Sequence, residues 1–171
     1  MTMIIDLASV TSVPKPVAAD VDSVQIDLGD EGSVSGTAHL NGEVFRDASK
    51  VHLRGTVTAN VDLQCTRCAE PLTYPVDVQF EDVFVPAADE ARADEHELQG
   101  AELDEQLVED TEIDLTEVVR EQILLNLPEQ VFCKEDCKGL CPQCGADLNQ
   151  TDCDCGENDI DPRWAALKNL N

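Results

Sequence analysis

Basic residues and aromatic residues are both scarce in this chain. Of 171 residues only 11 are Lys or Arg, against 36 Asp or Glu, giving a formal net charge of -25. Such a field repels nucleic acid and anionic membranes at long range, and so excludes a diffuse basic face as the means of holding RNA. It suits high solubility or a basic protein partner. One Trp, one Tyr and four Phe leave the core to Val, Leu, Ile and Ala. Long apolar runs are missing too: nothing approaches the roughly 18 residues of a membrane-spanning helix. The opening MTMIIDLASV lacks the basic start of a secretory signal. The expectation is a cytoplasmic protein with no membrane partner, in a compartment where thiols stay reduced.

Catalytic signatures are also lacking. There is no phosphate-binding loop, no H-E-x-x-H and no nucleophile elbow. His39, His52 and His96 lie far apart in sequence, and His52 falls on the polar face of a strand. Carboxylate pairs carry no information in so acidic a chain. The expectation is a protein that is not an enzyme and has no small-molecule substrate.

Periodicity organises what is present. Residues 1–21 hold a short apolar stretch and then VTSVPKPVAAD, where Pro14 and Pro16 predict an irregular connection. From residue 22 the period becomes two. Val24, Ile26 and Leu28 alternate before a turn at GDEGS, and Val34 to Val44 alternate next, with Gly42 as a bulge position. In KVHLRGTVTANVDLQC, Val51, Leu53, Val57, Ala59, Val61 and Leu63 share one face. Leu72, Tyr74, Val76, Val78 and Phe80 alternate after CTRCAEP. This predicts an antiparallel hairpin with a cysteine pair at its tip. Pro75 predicts an edge position or a kink in the returning strand.

Four segments follow: a β-rich domain with the C-x2-C hairpin over 1–86, a mobile acidic loop over 87–112, a helix packed on the sheet over 113–128, and a cysteine-rich segment over 129–171. The helix has Asp114 as N-cap, a capping-box pattern in DLTE, an apolar side widened by Leu124, Leu125 and Leu127, and Pro128 as its stop. A last helix is expected at DPRWAALKNL. The fold class is α+β. An antiparallel β-rich sheet or partly open barrel carries one packed helix and ends in a cysteine-rich, zinc-ribbon-like segment.

The eight cysteines form four close pairs: Cys65/Cys68, Cys133/Cys137, Cys141/Cys144 and Cys153/Cys155. A structural zinc takes four thiolates in a tetrahedron, and two tight turns supply them. Four pairs therefore make two centres. The short connection favours closing Cys141/Cys144 with Cys153/Cys155, which leaves Cys65/Cys68 for Cys133/Cys137. In that arrangement the first metal staples the end of the helix to the hairpin. Joining 65/68 with 141/144 and 133/137 with 153/155 stays open, and so does an iron–sulfur cluster. Thioredoxin-type chemistry is disfavoured, because neither C-x2-C pair leads a helix that would lower a thiol pKa.

The series CTRCAEPL, EIDLTEVVREQILLNLPEQVFC, CKGLCPQCGADLN, C-x-C and DPRWAALKNL resembles the YceD-like proteins, in the same order. Those are bacterial and plastid factors associated with accumulation of large-subunit ribosomal RNA. The resemblance covers about residues 61–80 and 112–170. It implies a non-catalytic role in ribosome biogenesis, supporting accumulation or processing of 23S ribosomal RNA. The implied partner is the large-subunit RNA precursor or a basic ribosomal protein. It carries no catalytic residues over. Candidate contacts are Arg67, Lys134 and Lys138, which gather round one metal in the favoured arrangement, with Arg54 approaching from the long strand. Nearby cations can instead simply offset the two net negative charges of a four-thiolate zinc. The alternative function is a redox-responsive zinc chaperone, which the C-x-C and C-x2-C spacing near the C-terminus would suit.

Overall fold

The alternating runs become long strands. The computed structural model describes residues 3–86, 105–108 and 111–155. Its strands are Ile4–Asp6 (β1), Lys15–Asp22 (β2), Ser33–Asp47 (β3), Lys50–Gln64 (β4), Pro71–Pro86 (β5), Glu105–Val108 (β6) and Glu112–Asp114 (β7), followed by one helix, Leu115–Asn126 (α1). Two units divide the chain. Residues 1–63 and 71–129 form the first, and residues 64–70 and 130–171 the second.

The first unit is built on an open five-stranded sheet of order β2-β3-β4-β5-β6. Pairing is antiparallel for β2–β3 and β3–β4 and parallel for β5–β6. A separate antiparallel ladder joins β1 to β7. On β4 the face predicted to be apolar is buried throughout: Val51, Leu53, Val57, Ala59, Val61 and Leu63. α1 packs on β2, β3 and β5. It buries Leu115, Val118, Val119, Gln122 and Ile123. Full burial of a side chain such as Ile123 contributes about 1.5–3 kcal/mol. Asp114 caps the helix, accepting from the Thr116 N–H at 2.8 Å. Glu117, the expected second half of the capping box, lies 3.6 Å from Arg120.

Several expectations change. Residues 15–22 form a strand despite Pro16, because β2 is the last strand on its side of the sheet, where a missing N–H can be tolerated. Val24, Ile26 and Leu28 do not form a strand; Ser23–Gln25 is a 3-10 turn, and Val24 is exposed. The irregularity in β3 falls between Ser35 and His39 rather than at Gly42, which pairs with Gly55. Leu125 does not widen the apolar side, being 77% exposed. Within the acidic stretch 87–112, residues 105–108 are strand β6 rather than loop, and Lys50 pairs with Glu105. The rest of that loop up to residue 104, and the helix expected at 161–170, lie outside the described residues. Pro75 sits where β5 has no outer partner among the described residues, since β6 reaches only Val83–Pro86.

One carboxyl under the helix makes stability depend on pH. Gln122 Nε2 donates to both oxygens of Asp82, at 3.2 and 3.3 Å. Burial pushes the Asp82 carboxyl above its ordinary 3.8; the Gln122 bond opposes this and Glu121 adds to it. The folded state thus holds this proton more tightly than the unfolded state. The stability it contributes is complete below the unfolded value and is lost as pH rises through the native one. Asp82→Asn keeps the acceptor without the charge. It is expected to raise the melting temperature by about 2 °C at pH 7 and to change nothing near pH 3. Thermal melts at both pH values check this, and a lower melting temperature at pH 7 would count against it.

Candidate metal centre

The second unit places all eight thiols in two groups. β4 runs directly into Cys65. The 65–70 turn is closed by Ala69 N–H donating to Cys65 O (2.8 Å) and Cys65 N–H donating to Glu70 O (2.9 Å). Thr66 ties this turn to the other stretch of the unit twice: its N–H and its hydroxyl both donate to Val131 O, at 2.9 and 3.0 Å. The second turn closes through Cys137 N–H to Lys134 O at 3.1 Å. Cys65 Sγ then lies 3.8 Å from Cys137 Sγ, and Cys68 Sγ 3.6 Å from Cys133 Sγ.

The CPQCG turn is closed by Gly145 N–H donating to Cys141 O at 2.9 Å, with Gly145 at φ +74. Cys153 Sγ lies 3.4 Å from both Cys141 Sγ and Cys144 Sγ. The ligand atoms of Cys65, Cys68, Cys133 and Cys137 lie within 4.8 Å of one another, as do those of Cys141, Cys144, Cys153 and Cys155. The groups are therefore 65/68/133/137 and 141/144/153/155, not the crossed alternative.

The donor sets fit a metal. A zinc–sulfur bond of about 2.3 Å sets the edge of a regular tetrahedron at about 3.8 Å. Sulfur separations of 3.4 to 3.8 Å stand near that edge and far beyond the roughly 2.05 Å of a disulfide. Both groups can hold a metal ion through four thiolates.

Electrostatics within each group point the same way. Burial pushes the Cys65 thiol up, but backbone N–H groups around it outweigh this and bring it down to about 6. Backbone N–H groups of Cys144 and Gln143 bring Cys141 to about 6. A backbone hydrogen bond at Glu70 favours the Cys68 thiolate, yet burial and the three neighbouring thiols prevail and raise it to about 12. Hydrogen bonding with the Cys153 and Cys144 sulfurs, together with burial, raises Cys155 to about 12. Each group thus keeps a proton on a thiol, at Cys68 in one and Cys155 in the other, that a divalent cation would displace.

Two of the four candidate cations, Arg67 and Arg54, are engaged. Arg67 Nη1 donates to Cys137 O at 2.9 Å, and its guanidinium sits 4.1 Å from the Phe132 ring centre. Its carbonyl accepts from Leu140 N–H at 3.0 Å. Lys134 and Lys138 are exposed in the same unit. Arg54 lies on the sheet of the first unit, paired with Glu43 and 5.2 Å from the Phe45 ring. His52 stacks on Phe45, and His39 bonds Asp20.

Two residues escaped the reading of the sequence. Asn149 Nδ2 lies 3.4 Å from Cys137 Sγ, and Asp147 holds Asn149 through both its backbone and its side chain. Burial pushes the Cys137 thiol up, but the Asn149 amide leads the hydrogen bonds that bring it below its ordinary value. The signal was the ADLN that follows the CPQCG turn, two Asx residues in a motif already singled out.

Comparison with known proteins finds relatives of the chain. A family model described as "Large ribosomal RNA subunit accumulation protein YceD" matches residues 53–171. The "Uncharacterized protein YlbN" of Bacillus subtilis is 34% identical over 132 residues, covering 77% of this chain and 72% of the relative. An "Uncharacterized protein" of Mycobacterium tuberculosis strain H37Rv is 32% identical over 158 residues, covering 91% of this chain and 70% of the relative. A chloroplastic "Large ribosomal RNA subunit accumulation protein YCED homolog 1" of Arabidopsis thaliana is 39% identical over 59 residues, 34% of this chain and 18% of the relative. No solved structure matches the chain at a significant level.

Proposed function

The chain belongs to the YceD family of large ribosomal RNA subunit accumulation proteins, and on that premise we propose that it is a non-catalytic ribosome biogenesis factor acting through a basic ribosomal protein. The family is named for accumulation of an RNA and not for a reaction. The observation that carries the choice of partner is the net charge of -25. An acidic surface attracts a basic protein and opposes RNA phosphate. The engagement of Arg67 and Arg54 within their own units also supports it. In this reading the effect on large-subunit RNA is indirect, the cysteine centres hold two structural zinc ions, and the work is done in the cytoplasm.

Crosslinking in sedimented ribosomal precursors tests the proposal. The expected result is crosslinks to a basic large-subunit protein, with association that weakens as salt rises. The triple change of Arg67, Lys134 and Lys138 to Glu should leave that association in place. A purified chain that shifts large-subunit RNA fragments by itself, and loses the shift in the triple variant, would overturn the protein-mediated reading.

A further inference from the structure

Asn149 stands in one thiol group's loop and serves the other. It lies between Cys144 and Cys153, inside the stretch that the second group closes. Its amide Nδ2 nevertheless reaches Cys137 Sγ of the first group, at 3.4 Å. The amide cannot be turned round without loss, because its Oδ1 accepts the Lys138 N–H at 2.9 Å. Asp147 Oδ1 fixes it further, accepting from Asn149 N–H at 2.9 Å and from Nδ2 at 2.8 Å. The backbone joins the same parts. Leu148 N–H donates to Gly139 O at 3.0 Å, Leu140 bridges to Asp147, and Leu140 N–H donates to Arg67 O. A left-handed Gly139 makes this contact close: a Cβ there would meet Arg67 O at 2.9 Å.

We propose that Asn149 is a positioning residue for the Cys65/Cys68/Cys133/Cys137 group, held in place by the loop that the second group closes, so that losing metal from the second centre loosens the first. This rests on the metal-binding reading above. A four-thiolate centre carries net negative charge, and an N–H aimed at one sulfur stabilises that charge and fixes the ligand's orientation. A role confined to the turn would need only the bonds of its backbone N–H and of Nδ2 to Asp147. The bond from Nδ2 to sulfur goes beyond it. The consequence is an ordered release: the second centre protects the first.

The test uses zinc-loaded full-length chain challenged with EDTA, then alkylated, with mass spectrometry reading each cysteine. Asn149→Ala should weaken zinc binding at the first group by about ten- to a hundred-fold and leave the second group unchanged. The Cys153→Ser, Cys155→Ser double variant should weaken the first group by a similar factor, and adding Asn149→Ala to it should bring no further loss. In cobalt-loaded protein, Asn149→Ala should shift the thiolate-to-cobalt charge-transfer band to lower energy. A first group equally resistant in Asn149→Ala, with native circular dichroism, would overturn the proposal, and so would losses that add. If Asn149→Ala fails to fold, the double variant decides alone, since undiminished protection of the first group there refutes the coupling. Wild-type chain that holds no zinc refutes the metal reading and this proposal together. Two zinc ions held with no effect of the variants refute the proposal only.

Discussion

Cys65→Ser is expected to reduce the two zinc ions proposed for the cysteine centres to one and to unfold much of the cysteine-rich unit. Among its described residues that unit buries few apolar side chains: Val131 and three of the cysteines, Cys65, Cys137 and Cys141. It has no helix and no long strand of its own there. So small a unit cannot hold itself by burial and needs a staple. Structural zinc supplies on the order of 10 kcal/mol of folding free energy in zinc-finger peptides at neutral pH. A serine hydroxyl in place of a thiolate forfeits most of that. Elemental analysis gives the metal count, and hydrogen exchange locates the damage. Protection should vanish over 130–140 and persist in β3 and β4. Two zinc ions retained, or unchanged exchange around Val131, would be incompatible with the staple role.

Gly55→Val is expected to cost about 4 kcal/mol or more in the first unit. Gly42 and Gly55 face each other across β3 and β4. A Cβ on Gly55 would lie 2.4 Å from Asn41 O and 2.8 Å from Gly42 Cα, and one on Gly42 would lie 2.3 Å from Arg54 O. The obstacles are backbone atoms in the middle of a ladder, so they cannot swing aside as a flexible side chain would. Relief requires breaking the pairing on which the core residues Leu53 and Val57 depend. Gly55→Ala should already cost about 2–3 kcal/mol. Urea unfolding of the zinc-loaded protein measures both. A loss below about 1 kcal/mol for the valine variant would mean the strands can part locally at little cost.

Much of this was legible beforehand, for reasons particular residues make plain. Period-two alternation is a direct record of one buried face, so β4 and its inward residues followed from Val51 to Leu63 alone. Asp114 and Pro128 bounded the helix because a cap and a stop are local chemistry. Where structure depends on a neighbour, the sequence was silent. β2 hid behind Pro14 and Pro16, whose meaning changes at a sheet edge. β6 hid in an acidic stretch because its support comes from β5 and from Lys50, far away in the chain. Spacing suggested which cysteines would gather, since short loops close most cheaply. The Asn149 contact with Cys137 depends on the fold of the intervening loop, which no spacing rule describes.

The ladder between β1 and β7 bears on how the protein is made. Ile4 pairs with Asp114, Leu7 N–H bonds Thr111 O, and Leu115 N–H bonds Met3 O. Synthesis proceeds from the N-terminus, so the first strand emerges long before its partner exists. The β2–β3 and β3–β4 hairpins join near neighbours and can assemble as they leave the ribosome. Residues 4–6 must wait for their ladder partner until the stretch just before α1 has been made. Closing that long loop carries the larger entropic cost, which makes it a late step. Nascent chains halted before residue 111 would carry a formed meander and an unpaired leading strand.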